Sequence, residues 1–360
     1  MAVSRSGIPF AVVAFGIATV ACSRTAVVST GANTSAPVST AASDADVRRL
    51  LSALADDSME GRGTATRGSV RAARFIASEL ARYGVTPAGD SGFFQRVPVA
   101  FTQRNGGRRP TLLPSLAARD TVAPENRATA VNVVGVIPGA DPALRDQVVL
   151  VDAHYDHLGI RPGQGADSIY NGADDDASGV VAVLEIARAL AAGPAPKRTV
   201  VVAATTGEEV GLLGTRWYLM HPARPLDAMV ANLEIEMIGR PDSLAGGSGR
   251  GWLTGFERST MGDLFAKAGL PIVADKRLDQ QFFMRSDNIA FAERGIVAHT
   301  LSSYNMHTDY HQPSDDVSHV DVAHMTQLVN VAVRAARLLA DDPTRLEWKS
   351  GGRPEARSRQ

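Results

Sequence analysis

Residues 147–157 read QVVLVDAHYDH: four apolar residues, Val148 to Val151, run into Asp152 and then into two histidines that bracket Asp156. A short apolar, β-branched run without polar alternation predicts a strand buried on both faces. Such strands belong to parallel sheets covered by helices, and ligands gather beyond their carboxyl ends. His154 stands at such an end. Residues two apart in extended chain point the same way, so Asp156 is placed to accept the second ring proton of His154 and fix its tautomer. His157 reads as a solvated neighbour.

Outward from this strand the same pattern recurs at residues 130–137, 199–205, 229–238 and 295–301. Between these runs lie helical periodicities. Val47, Leu50, Leu51 and Leu54 recur at helical spacing after a cap at Ser43 or Asp44. Residues 67–83 turn Val70, Ala73, Phe75, Ile76 and Leu80 inward and stop at Gly84. Further helices are predicted over 178–192, around Leu264 and over 320–340. Alternating strands and helices predict an α/β fold, with a mixed, mostly parallel central sheet flanked by helices on both faces. Residues 105–127, rich in Arg, Gly and Pro, read as an irregular excursion or a poorly paired edge hairpin. No internal repeat is visible.

Hydrophobic residues make up 44% of the 360, enough for a sizeable core, and the net charge of -1 argues against a nucleic-acid surface. Cys22 is the single cysteine, so no intrachain disulfide can form. Arg5 followed by an apolar stretch over residues 8–21 predicts an export signal over 1–22. Ala21-Cys22 suits a lipid anchor at Cys22; simple secretion is the alternative. The expected location is therefore the periplasm, an outer-membrane lipoprotein or the medium. Residues 23–43, rich in Ser, Thr and Ala, read as a linker, residues 44–345 as one catalytic domain, and 346–360 as a loose tail.

Acidic residues cluster at the strand ends. NGADDDASG (171–179) places Asp174, Asp175 and Asp176 together at a helix start. Capping accounts for one acid, not three, and adjacent carboxylates favour a cation between them. Asp174 is expected to bridge two metal ions and Asp176 to serve the helix. In TTGEEVG (205–211) the two acids diverge, which suits Glu209 as a ligand and Glu208 as a general base. Glu236 stands among Leu233, Ile235, Met237 and Ile238, where a carboxylate needs a metal or a partner such as Arg240. Glu234 lies two residues earlier on the same face. His311, with His307 nearby, lies in a loop before the last helix. Carboxylates and imidazoles gathered around a spare acid point to metal-assisted hydrolysis.

These stretches, with RSDNIAF (285–291) and DYHQPSDD (309–316), occur in an order that resembles the co-catalytic zinc aminopeptidases, metallopeptidase family twenty-eight. Residues 58–89 resemble the first helices of bacterial members, so the resemblance covers nearly all of 44–340. It implies two Zn2+ ions, with Co2+ or Mn2+ as possible replacements. His154 and Glu236 would hold one, Glu209 and His311 the other, with Asp174 between them and Glu208 as base. It implies a cis bond between Asp174 and Asp175, and peptide substrates with a free N-terminus. Glu236 departs from the Asp that many members carry there.

Other readings compete. A glutaminyl cyclase-like site would use one zinc without hydrolysis. Carboxypeptidase or dipeptidase action needs a cationic anchor, for which Arg240 and Arg285 are available. A binding lipoprotein with a dead site would have lost a ligand or the base. Ser248 lacks the nucleophile-elbow spacing of a serine hydrolase, and no zincin helix with paired histidines occurs.

Overall fold

The strands, in chain order, are β1 (Thr86–Pro87), β2 (Phe94–Arg104), β3 (Gly107–Leu112), β4 (Arg127–Ile137), β5 (Val148–His154), β6 (Gly159–Ile160), β7 (Ile169–Tyr170), β8 (Thr199–Thr205), β9 (Met229–Ile235), β10 (Gly251–Leu253), β11 (Ile272–Ala274) and β12 (Ala298–Ser302). The helices are α1 (Asp44–Leu54), α2 (Arg67–Arg82), α3 (Gly179–Ala192), α4 (Leu213–Met220), α5 (Thr260–Lys267), α6 (Asn288–Glu293) and α7 (Val322–Asp341). This computed structural model describes residues 40–104, 107–161 and 167–355, with isolated positions among the first fourteen. The expected export signal from residue 15 on, Cys22 and most of the expected linker lie outside the described residues. The chain divides into units 1–37 and 38–360, and among the described residues every element lies in the second.

The main sheet runs β11-β10-β12-β9-β5-β8-β4-β2-β3, with β1 beside β4. Its centre, β12-β9-β5-β8, is parallel, while β4, β2 and β3 add antiparallel on one flank. Every residue of β5 and β8 is buried. Because side chains alternate across a strand, Val149 and Val151 join the core under α1, α2, α3 and α7. Val148 and Leu150 join the opposite layer, under α4 and α6. Parallel register puts the carboxyl ends of the four central strands on one edge, and the chemical residues follow those ends.

Four expectations change. The strand β2 was not foreseen, and of the two readings of residues 105–127 the edge hairpin holds in its first part, where residues 107–112 form β3, fully paired with β2 rather than poorly. Val70 faces outward and Phe75 is only half-buried, while Ala73, Ile76 and Leu80 form the inner face of α2. Residues 346–353 are not loose: Leu346 is buried, and the Trp348 indole donates to the Gly295 carbonyl at 3.0 Å. The ring of Trp348 meets Phe283 and His299. Residues 356–360 lie outside the described set.

Candidate metal centre

His154 is the last residue of β5 and is fully buried. Its Nδ1 lies 3.1 Å from the backbone carbonyl of Asp156, whereas the Asp156 carboxylate is 4.0 Å away. The expected orienting partner is therefore the carbonyl of that residue rather than its side chain. The Asp156 carboxylate accepts from the Thr64 hydroxyl at 2.6 Å and from the Glu208 N–H at 3.2 Å. It thereby anchors the backbone of the expected base. Burial pushes its acid up to about 6, against the charge of His154.

His154 Nε2 points at Asp175 Oδ1, 3.3 Å away, and at Glu236 Oε1, 3.9 Å away. Asp175 Oδ2 lies 3.1 Å from His311 Nε2 and 3.8 Å from His157 Nδ1. Glu209 Oε1 completes this second group, 3.2 Å from His311 Nε2 and 2.8 Å from His157 Nδ1. Two metal-sized groups result, His154–Asp175–Glu236 and His157–Asp175–Glu209–His311, sharing Asp175.

Asp174, expected as the bridge, enters neither group. Its carboxylate is committed elsewhere: Oδ2 to His307 Nε2 at 3.0 Å, Oδ1 accepting from the Gly239 N–H at 2.6 Å. The shared acid is its neighbour Asp175, and the cis peptide joins Asp175 to Asp176 rather than Asp174 to Asp175. Asp176 serves α3 as expected, accepting from the Gly179 and Met237 N–H groups at 2.9 and 3.1 Å. Arg240 is not the partner of Glu236; it pairs with Asp309 at 2.7 Å. Glu234 turns into the interior, accepting from Ser286, Thr300 and the N–H groups of Asp287 and Asn288.

Two residues that sequence reasoning passed over hold the loop that carries Asp175. Arg62 is wholly buried and donates to the carbonyls of Tyr155, Leu54, Asn171 and Gly172 at 2.5–2.9 Å. Asp315 accepts from the N–H groups of Asp174 and Asp175 at 3.0–3.2 Å. Gly172 has φ +57°, and a Cβ there would lie 2.6 Å from the His157 ring. The ring is thus packed where it was expected to be solvated, 2% exposed.

The donor atoms fit metal ions. Among the described residues, His154 Nε2, His157 Nδ1 and Glu209 Oε1 are buried without a hydrogen-bond partner, although acids and imidazoles lie within 3.3 Å of them. Lone pairs aimed at a common point, not at one another, have this geometry. Donors about 2.0–2.1 Å from a tetrahedral ion lie about 3.3 Å apart, close to the separations seen. Burial lowers the basicity of His311, but Asp175 and Glu209 outweigh it and hold the ring at about 9. Glu208 binds no group among these; burial pushes its acid well above the usual range, with His154 opposing. It lines a pocket with Glu236, Met237, Trp252, Phe282, Arg285, Tyr304 and Tyr310.

Residues 132–336, more than half of the chain, match the model of peptidase family M28. A vacuolar membrane protease of Tuber melanosporum is 28% identical over 60% of this chain, which spans only 21% of that protein. The aminopeptidase YwaD of Bacillus subtilis is 27% identical over 58% of this chain and 45% of its own. Among solved structures, a zinc aminopeptidase from Bacillus subtilis shares the fold at TM-score 0.59 and 16% identity, over 83% of this chain and 95% of that one. A glutaminyl cyclase from Porphyromonas gingivalis shares it at TM-score 0.55 and 15% identity, over 82% and 97%. With the family match laid over the strand ends that carry both donor groups, the chain belongs to peptidase family M28.

Proposed function

We propose that the chain is a zinc aminopeptidase that removes residues from peptides with a free N-terminus. The observation that carries this is the sharing of Asp175 between two donor groups, with Glu208 beside them and bound to neither. His154, Asp175 and Glu236 would hold one zinc, and Asp175, Glu209 and His311 the other. When bound, such ions acidify water and polarise a carbonyl. The remaining work falls to the side chains. Glu208 takes the proton from the attacking water and passes it to the leaving amine. Its backbone N–H donates to Asp156 at 3.2 Å, which holds the residue beside the donor groups. Trp252, Phe282, Tyr304 and Tyr310 give the pocket apolar walls for the side chain of the residue released.

The test is Glu208→Gln, assayed on free-amine and N-blocked peptides with and without chelator. We expect both zincs to stay and turnover to fall by about 10²–10⁴, the range of general acid–base catalysis. Near-normal turnover refutes the base. Cyclisation of N-terminal glutamine, with one zinc per chain, would favour the glutaminyl cyclase reading.

A second reading draws on Arg285. Arg240 is occupied by Asp309, but Arg285 lies on the pocket with its guanidinium 5.2 Å from the Phe282 ring centroid and no ion pair among the described residues. It suits a substrate carboxylate, either an acidic side chain or the terminus of a dipeptide. We further infer export, from Arg5, the apolar stretch over 8–21 and Ala21-Cys22. Fractionation of the source cells, with labelling by a fatty-acid analogue of wild type and Cys22→Ala, tests export and lipidation separately.

A further inference from the structure

The zinc assignment above gives His157 no ion to hold, yet it stands closest of all the imidazoles to Glu209, with Nδ1 2.8 Å from Oε1. That contact lacks hydrogen-bond geometry: both atoms are buried and neither has a hydrogen-bond partner among the described residues. The His307–Asp174 contact, at 3.0 Å, is by contrast an ordinary hydrogen bond. An imidazole that merely oriented a carboxylate would point its N–H at the oxygen, as His307 can. His157 points past Glu209 toward the space that Glu209, Asp175 and His311 also face, and all four donor atoms lie within 4.8 Å of one another. Gly172 supplies the room, since any side chain there would collide with the ring. The ring is also tied into the fold, because the His157 N–H meets the Arg62 carbonyl at 3.4 Å.

We propose that His157 is a metal ligand, and that it makes the two ion positions unequal. The position formed by His157, Asp175, Glu209 and His311 has four protein donors, and that formed by His154, Asp175 and Glu236 has three. Zinc sites closed by four protein ligands hold their ion structurally, and sites with three keep a place open for water or substrate. The four-donor position therefore fills first and empties last, and the three-donor position exchanges. This rests on the two-zinc reading.

The experiment is a zinc titration of the metal-free full chain against a competing chelator, with zinc X-ray absorption spectra at one and two equivalents. The wild type should bind in two steps. The first zinc should show two imidazoles, His157 and His311, and the average at two equivalents should fall to about 1.5, three rings over two ions. His157→Phe keeps the ring shape against Gly172, and His157→Gln is the second variant should the first misfold. Either should weaken the first step by at least about tenfold and bring its spectrum to one imidazole, with the second step little changed. One imidazole on the first zinc of the wild type overturns the proposal, as does unaltered first-step affinity in a folded variant. A wild type that takes up a single zinc defeats the two-zinc reading, but the imidazole count on that ion still decides His157. A wild type that takes up none defeats both.

Discussion

Arg62→Met is the sharpest test of how the loop carrying Asp175 is held. The guanidinium is fully buried, its burial cost offset by the charges of Asp315, Asp175, Asp176 and Asp156 around it. It donates to four carbonyls, from the end of α1, from the segment after β5 and from the loop before Asp175. Methionine fills similar volume but satisfies none. Each orphaned buried acceptor costs about 1–3 kcal/mol, so four would cost about 4–12 kcal/mol in a rigid interior. Relief from burying the charge and entry of water reduce this, and removal of one partner from a buried ionic cluster typically costs about 3–5 kcal/mol. We expect a loss in that range, seen as a lower denaturant midpoint and a melting temperature about 6–10 °C lower. Arg62→Lys keeps the charge with fewer donors and should fall between. Because Asn171 and Gly172 lead directly into Asp174 and Asp175, zinc affinity should also drop by about 10–100-fold. A folded Arg62→Met within about 1 kcal/mol of wild type, with zinc affinity intact, would refute the role.

Other outcomes follow from the same geometry. Arg285→Met should raise KM for substrates bearing a carboxylate near the scissile bond by at least about tenfold, while those with neutral side chains change little; equal effects on both classes would remove Arg285 as an anchor. His299 is fully buried, and burial pushes its ring down to about 4, with the Thr254 carbonyl and Ser259 hydroxyl each 2.6 Å away. The unfolded ring binds a proton near pH 6.5 and the folded ring does not, so this contribution is full above that pH. It is lost progressively as pH falls from about 6.5 toward 4, by about 2 kcal/mol between pH 7 and 5. The stability of His299→Asn should fall less over that interval than wild type; parallel denaturation curves would contradict the assignment.

What could be read beforehand divides by how local its cause is. The strands β5 and β8 were legible because burial on both faces leaves an uninterrupted apolar run: β5 ends at His154 as expected, and β8 has the expected limits, 199–205. β2 was not, since Arg96, Pro98 and Gln103 interrupt its apolar residues as a loop would, although Val97, Val99 and Ala100 are buried in a strand paired on both sides, with β4 and β3. Glu208, Glu209, Glu236, His154 and His311 were legible as strand-end or loop groups of the right chemistry. The choice between Asp174 and Asp175 was not. Three adjacent acids are chemically alike and all three are buried, and Arg62, Asp315 and the left-handed Gly172, residues up to 141 positions away, hold the loop in the form that turns Asp175 to the donor groups. Arg62 had only one local signal, the flanking Gly61 and Gly63. His157 was undervalued because the space beside it is made by the missing side chain of Gly172, a contact that spacing along the chain does not reveal.

The zinc content of the purified chain and two neighbouring variants tests the shared carboxylate most directly. Wild type and Asp174→Asn should each carry two zincs after equilibration with the metal, because Asp174 faces His307 and Gly239 rather than the donor groups. Asp175→Asn should carry one at most, having lost the charge common to both positions. Two zincs retained by Asp175→Asn, with zinc lost from Asp174→Asn, would contradict the account.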